Sequence, residues 1–195
     1  MSHSDQSHEE SFSMSFEPTK SLPQLVRDLG RFPIEAFEFL HEGLDHTVCT
    51  VHGPASDAIR DLYRWMDQAQ AEPQQLTELA RTGGLPKIVF ERIIELGGPD
   101  AAARKLNRHV SGIQLCWGLR DLAMRRWGLM ASAVLRHWGI QSTSDFGAMV
   151  FALVNAGMLQ KQPNDDLDDF DDVFDFEEAF DQSYKIGSIS AADDA

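Results

Sequence analysis

Three side chains that commonly bind metals lie at regular intervals in one segment, His46, Cys49 and His52, with Asp45 next to the first. Zinc sites need three or four such groups to converge. On a continuous helix, residue 52 is rotated by about 600° from residue 46 and leaves the face that residues 46 and 49 share. It returns only if the helix ends before residue 53. We therefore expect no metal here, and we expect Cys49 to be a small buried side chain beside surface histidines.

Local signatures of catalysis are absent from the sequence, which contains no HExxH, GxSxG, P-loop or Rossmann fingerprint. The acidic segment after residue 163 does not match a calcium loop, because Leu167, Phe170 and Val173 interrupt the alternating oxygen ligands. We predict no catalytic residue, no metal and no cofactor, and hence a non-enzymatic protein. An active site assembled from distant residues stays an alternative.

Charge is segregated along the 195 residues, whose formal net charge is −14. Residues 1–80 carry a net charge of −9, residues 81–140 of +6, and residues 164–195 of −11. Such a pattern allows the acidic end to fold back on the basic segment, or to compete with an anionic partner for it. An acidic end that serves only solubility is the alternative.

The cations of the positive segment are candidate binding residues: Arg104, Lys105, Arg108, Arg125, Arg126 and Arg136. Side chains of this type contact phosphates in nucleic-acid complexes. The helices expected at 111–127, at 128–138 and from Asp145 onward could form a winged-helix-like unit with the extended segment that follows. The helix that would read bases begins with an acid, however, and exposes only Asn155 among base-contacting residue types. Nucleic-acid binding is therefore the alternative and not the leading hypothesis.

Residues 164–195, called the arm below, combine many carboxylates with aromatic anchors. Its candidate binding residues are Phe170, Phe174 and Phe180, which with Val173 would share one face of a helix formed on docking, while Phe176 would point elsewhere. Burial of each ring could contribute up to ~2–3 kcal/mol. The expected surface is a basic groove, either on a partner protein or on this chain itself.

Prolines at helix starts and glycines at helix ends indicate most of the element boundaries. The opening prolines are Pro33, Pro73, Pro86 and Pro99, and the closing glycines are Gly30, Gly53, Gly83, Gly97, Gly128, Gly139 and Gly157. Ser111 is a predicted N-cap. No segment alternates strongly, so the predicted fold class is all-α, a compact bundle of about eight or nine short helices. A small winged-helix-like hairpin near the C-terminus, with Met158–Lys161 as a strand, remains an option.

Several motifs resemble an uncharacterised bacterial conserved-hypothetical family of the planctomycete and verrucomicrobial type. They are His109-Val110-Ser111-Gly112, Gly118-Leu119-Arg120, Trp138-Gly139-Ile140, Asp145-Phe146-Gly147 and Phe174-Asp175-Phe176. The resemblance covers about residues 33–51 and 109–180, which implies that residues 53–108 are an insertion. It implies no activity, cofactor or catalytic residue.

The expected organisation is a disordered N-terminus (1–20), a helical domain (21–163) and the arm (164–195). No run approaches the ~20 apolar residues of a membrane helix, and the N-terminus lacks the features of a secretory signal. We expect a cytoplasmic protein without membrane association. The leading hypothesis is a non-enzymatic interaction or regulatory module that uses the basic segment and the arm to bind a protein partner. A winged-helix-like nucleic-acid or ribonucleoprotein binder, gated by the arm, is the alternative.

Overall fold

The protein is described from a computed structural model that covers residues 19–71 and 73–181. Nine α-helices lie in this part of the chain: α1 (Leu22–Leu29), α2 (Ile34–His52), α3 (Asp57–Ala69), α4 (Pro73–Thr82), α5 (Lys87–Glu95), α6 (Pro99–Leu106), α7 (Gly112–Trp127), α8 (Ala131–His137) and α9 (Thr143–Asn155). Short 3₁₀ turns at Gly128–Met130 and Leu167–Phe170 and a π turn at Glu177–Asp181 complete the structure. The all-α class and the helix number are confirmed.

The optional hairpin is wrong within the described residues, which contain no strand. The predicted strand at Met158–Lys161 is an irregular exit from α9, because the backbone N–H groups of Met158 and Leu159 donate to the Leu153 carbonyl at 2.8 and 3.3 Å. These bonds complete the end of the helix. The described residues also contain no strand with which this segment could pair. None of the described helices is long and apolar enough to cross a membrane.

Two helix starts show how the sequence sets the boundaries. Ser111 is the N-cap of α7, where its hydroxyl accepts the Gln114 N–H at 3.3 Å and the Gln114 side chain accepts the Ser111 N–H at 3.0 Å. At the start of α9, the buried Asp145 carboxylate accepts the N–H groups of Gln141 at 2.7 Å and Ser142 at 3.1 Å. Asp145 also pairs with Arg31, which ties the start of α9 to the loop before α2.

The main core, called core 1 below, is formed by α2, α7, α8, α9 and the arm. Its fully buried large side chains are Phe37, Phe39, Leu40, Leu119, Leu135, Ile140, Phe146, Met149 and Phe180. Helices α2 and α7 cross closely because small residues face larger ones, with Gly43 against Leu119 and Gly118 against Thr47. A Cβ atom at Gly118 would lie 2.8 Å from Thr47 Cβ, so this crossing has no room for a larger residue.

A second core, called core 2 below, is formed by α3 to α6. Its members include Leu62, Leu76, Ile93, Ala102 and Leu106. Core 2 lies within residues 53–108, the segment that the family resemblance sets apart. Its origin as an insertion stays a prediction.

Cores 1 and 2 are linked by hydrogen bonds near the end of α2. His52 Nε2 donates to the His109 carbonyl at 2.8 Å, and the Arg108 guanidinium donates to the Gly53 carbonyl. The predicted disordered N-terminus lies almost entirely outside the described residues, as does the end of the arm from residue 182.

Candidate functional site

The arm packs onto its own domain through its aromatic rings. Phe170 is only 4% exposed and Phe180 only 1%, and Phe176 is also buried. The arm does not form the single predicted helix, because close contacts with α7 and α9 divide it into a 3₁₀ turn and a π turn. Phe176, expected on another face, packs 5.1 Å from the Phe180 ring and 5.9 Å from the Phe146 ring.

Polar contacts also hold the arm in place. Thr143 Oγ1 accepts the backbone N–H of Val173 at 3.3 Å, and the Ser144 hydroxyl donates to the Asp171 carboxylate at 2.7 Å. Nε and Nη2 of Arg120 both donate to the Ala179 carbonyl at 3.2 Å. The arm is therefore fixed to α7 and α9 at several points, with its carboxylates outside.

One face of α7 and the arm together form what we call the acidic–aromatic surface. Ile113 and Trp117 are one helical turn apart on α7, and their side chains are 50% and 45% exposed. The half-buried Phe174 ring lies 4.9 Å from the Trp117 ring at an interplanar angle of 51°. Exposed carboxylates flank these apolar groups: Asp121 on α7, and Asp172 and Asp175 on the arm.

A second feature is a cleft of about 270 Å³ between α2, α9 and the start of α7. Apolar side chains form its walls: Leu40, Leu44, Val48, Val110, Leu115, Val150, Phe151, Leu153, Val154, Leu159 and Phe170. Polar side chains line the rest of it: His41, Asp45, Arg108, His109, Gln160, Lys161 and Asp165. Phe170 and Asp165 are the arm residues in the lining, so the docked arm forms part of the wall of the cleft.

The polar part of the cleft contains one close pair of ionisable groups. His109 Nε2 lies 2.9 Å from Asp165 Oδ1, and Asp165 Oδ2 also accepts the Gln162 N–H at 2.7 Å. Lys161 Nζ lies 5.5 Å from the centre of the Phe151 ring and 3.5 Å from the Asp165 carbonyl oxygen. The lining thus combines an apolar interior with a small number of ionisable groups.

The candidate cations are spread over three helices and the loop before α7. Arg104 and Lys105 on α6 and Arg108 in that loop line a shallow depression with His52 and Pro54. Arg125 and Arg126 lie in the last turn of α7, and Arg136 lies in the last turn of α8. Along the axis of α7, Arg125 lies about 20 Å from the first residue of the helix.

Several of these cations already have partners within the chain. Lys105 donates to the Leu96 carbonyl at 3.1 Å, and Arg108 donates to the Gly53 carbonyl. Arg126 pairs with Glu42 at 2.5 Å and lies over the Trp127 ring. These contacts complement helix ends and link elements, which is a structural use of the charge.

Helix α9, the helix that would read bases in the winged-helix alternative, is enclosed by its neighbours. Every residue of Thr143–Asn155 except Asn155 is buried or half-buried. Phe170 of the arm covers Gly147 near the start of this helix. A helix covered in this way presents no face that could enter a nucleic-acid groove.

The two cysteines differ in their surroundings. Cys116 is buried in core 1, and burial raises the pKa of its thiol to about 12. Cys49 is exposed, so the expectation of a buried side chain at this position was wrong; residue 49 lies on the outer face of α2. Among the described residues, no group of three or more His, Cys, Asp or Glu side chains could hold a metal ion.

Sequence reasoning missed Ile113 and Trp117, although their spacing of four residues places both on one helix face. Leu115, Leu119 and Leu122 define the side of α7 that faces the core. Large apolar residues outside this series, such as Ile113 and Trp117, could therefore have been recognised as candidates for an exposed binding surface. The cleft had no such signal, because its lining comes from four separate segments.

Comparison with protein-family models, curated proteins and solved structures finds no match to this chain.

Proposed function

We propose that the chain is a non-enzymatic interaction module that binds a cationic, apolar segment of a partner protein on the acidic–aromatic surface. The observation that carries the proposal is the exposure of Trp117 and Ile113 on one face of α7, where the Phe174 ring packs against Trp117. Contiguous exposed apolar groups with a polar rim are typical of protein interaction sites.

The aromatic part of this surface is held rigidly. The Phe174 ring lies 5.8 Å from Phe176 and 6.1 Å from Phe180, both of which are buried in core 1. A ring that is fixed before binding loses little conformational entropy when a partner covers it. Tryptophan is also enriched among the residues that contribute most to binding energy.

The charge of the surface favours a cationic partner. Residues 164–181 contain ten acidic residues and no Lys or Arg. The fold buries the rings of Phe170, Phe176 and Phe180 and leaves most of the carboxylates of this segment exposed. Such a field accelerates encounter with a positively charged segment and repels nucleic acid.

A suitable probe is a short fluorescent amphipathic helix of leucine and lysine, compared with the same peptide carrying glutamate in place of lysine. Fluorescence anisotropy should show binding of the lysine peptide only, weakening as salt is added. Trp117→Ala should weaken this binding at least about tenfold, the usual effect of removing a central aromatic residue. Asp172→Asn should weaken it less, and only at low salt.

The variants have matched controls. Asp172 has a φ of 46°, a left-handed conformation that asparagine adopts readily, so its substitution removes charge without backbone strain. Met130→Ala removes another exposed apolar side chain, from the turn between α7 and α8, and should leave binding unchanged. Equal losses in Trp117→Ala and Met130→Ala would show nonspecific adhesion, and equal binding of both peptides would refute the charge argument.

The reduced state of both cysteines is consistent with a cytoplasmic setting, which we include in the proposal.

The basic groups at the ends of α7 supported the nucleic-acid alternative. Their separation and the enclosure of α9 do not favour it, so the basic segment has no binding role in this proposal.

A further inference from the structure

We propose that the cleft between α2 and α9 binds a small carboxylate with an apolar body. This inference rests on the cleft alone and is independent of the acidic–aromatic surface. A concave site with apolar walls and a few charged groups on one side is typical of small-molecule sites in proteins.

The dimensions of the cleft limit the size of the ligand. Its volume of about 270 Å³ lies just below the roughly 300–1,000 Å³ that is typical of small-molecule sites, so the cleft suits a small ligand. The walls formed by Leu44 on α2, Val150 and Val154 on α9, and Phe170 on the arm are apolar, so most of that ligand must be hydrocarbon.

The preference for an anionic head group rests on two cations of the lining that form no ion pair within residues 19–71 and 73–181. Lys161 and Arg108 both line the cleft, and neither forms an ion pair with a carboxylate anywhere in the described part of the chain. Asp165 is already used by His109 at 2.9 Å and by a backbone N–H at 2.7 Å. A ligand carboxylate would therefore meet two cations that form no ion pair with a carboxylate of the described residues.

Two further features favour an anion. Gly112, the first residue of α7, belongs to the lining, so the N-terminal end of this 16-residue helix, which is the positive end of its dipole, borders the cleft. Lys161 is exposed, and its ammonium group lies 5.5 Å from the centre of the Phe151 ring, which also belongs to the lining. Asp45 is exposed on the α2 side of the lining, and the test below includes an amine ligand because of it.

The test uses three ligands with the same hydrocarbon chain and different head groups: octanoate, octanol and octylammonium. Binding to the full chain is measured by isothermal titration calorimetry and by saturation-transfer NMR. Octanoate should bind at least about tenfold more tightly than either analogue, since a hydrogen bond to a charged group is worth about one decade in affinity. Lys161→Gln should remove most of this preference and leave octanol binding unchanged.

Two substitutions on α9 separate binding in the cleft from binding elsewhere. Val154→Phe places a ring in the cleft and should abolish binding of octanoate and octanol. Asn155→Phe adds the same ring at the neighbouring exposed position, outside the lining, and should change neither affinity. Lys87→Gln removes an exposed lysine on α5 and serves as the charge control.

Circular dichroism must show the same helix content in all variants, so that a loss of affinity reports the cleft and not unfolding. The proposal is overturned if octanol binds as tightly as octanoate, if octylammonium binds best, or if Val154→Phe retains octanoate binding. An equal effect of Lys87→Gln and Lys161→Gln on octanoate would likewise overturn the role of Lys161.

Discussion

Replacement of Gly147 by alanine tests how the arm is held, because we expect this change to destabilise the protein although the same change stabilises most helices. Alanine in place of glycine inside a helix normally stabilises by about 0.5–1 kcal/mol. At Gly147, however, the added Cβ would lie 2.8 Å from both Cβ and Cγ of Phe170. The arm cannot then stay docked in its present position, and we expect Gly147→Ala to destabilise the protein.

The magnitude can be worked out from these contacts. Overpacking of a closed core costs about 1–3 kcal/mol, which outweighs the gain in helix propensity and leaves a net loss of about 1–2 kcal/mol. Phe170→Ala removes a ring that is 4% exposed and should cost about 3–5 kcal/mol. Because Phe170 is already displaced in Gly147→Ala, the double variant should lose at least about 1 kcal/mol less than the sum of the two.

Urea denaturation followed by tryptophan fluorescence and circular dichroism gives the free energies of unfolding for the cycle. Leu167→Ala shortens a 44% exposed side chain in the same 3₁₀ turn and should change stability by less than about 0.5 kcal/mol. Asn155→Ala, at the exposed end of α9, controls for helix propensity and should be neutral or slightly stabilising. A stabilised Gly147→Ala protein, or additive effects in the double variant, would refute the described docking of the arm.

Four further outcomes follow from the α2–α7 crossing, the two cysteines and the start of α9. Gly118→Ala should destabilise by about 2 kcal/mol, because its Cβ would collide with Thr47, and an unchanged melting temperature would contradict the α2–α7 crossing. A thiol reagent should modify Cys49 rapidly in the native protein and Cys116 only after unfolding. Burial raises the pKa of Cys116 from 9.0 to about 12, so unfolding releases its proton above pH 9. The free energy of unfolding should therefore fall above pH 9 by up to about 1.4 kcal/mol per pH unit. Cys116→Ala should reduce this slope and leave the part that Tyr63, whose pKa burial also raises, contributes at higher pH. Asp145→Asn should cost about 1–3 kcal/mol in thermal denaturation, because the buried carboxylate accepts two backbone N–H groups and pairs with an arginine.

The helices were predictable because local chemistry decides their ends. Ser111 and Gln114 form a capping box that can be recognised in the sequence, and Gly139, with a φ of 78°, follows the end of α8 as expected. Pro99 opens α6 at a position where its missing N–H costs nothing. These signals lie within a few residues of each boundary and need no tertiary information.

The conformation of the arm was not predictable in the same way. The spacing of Phe170, Phe174 and Phe180 resembles a helix period, but their contacts are set by distant residues. Gly112 and Gly147 leave space for Phe170, and they lie 58 and 23 residues before it in the sequence. The chain must therefore fold before these residues meet. 

The family resemblance and the domain division stay predictions. The arm, in contrast, can be described by its contacts. Its Phe170, Phe176 and Phe180 rings belong to core 1, and its carboxylates form part of the outer surface. Deleting the arm would remove one wall of the cleft and half of the acidic–aromatic surface while opening the core. A truncated chain would therefore lose binding at both sites through the loss of structure, even if the arm made no contact with either ligand. Single substitutions at Trp117 and Lys161, which are exposed and lie outside core 1, are therefore the changes that separate a role in binding from a role in folding.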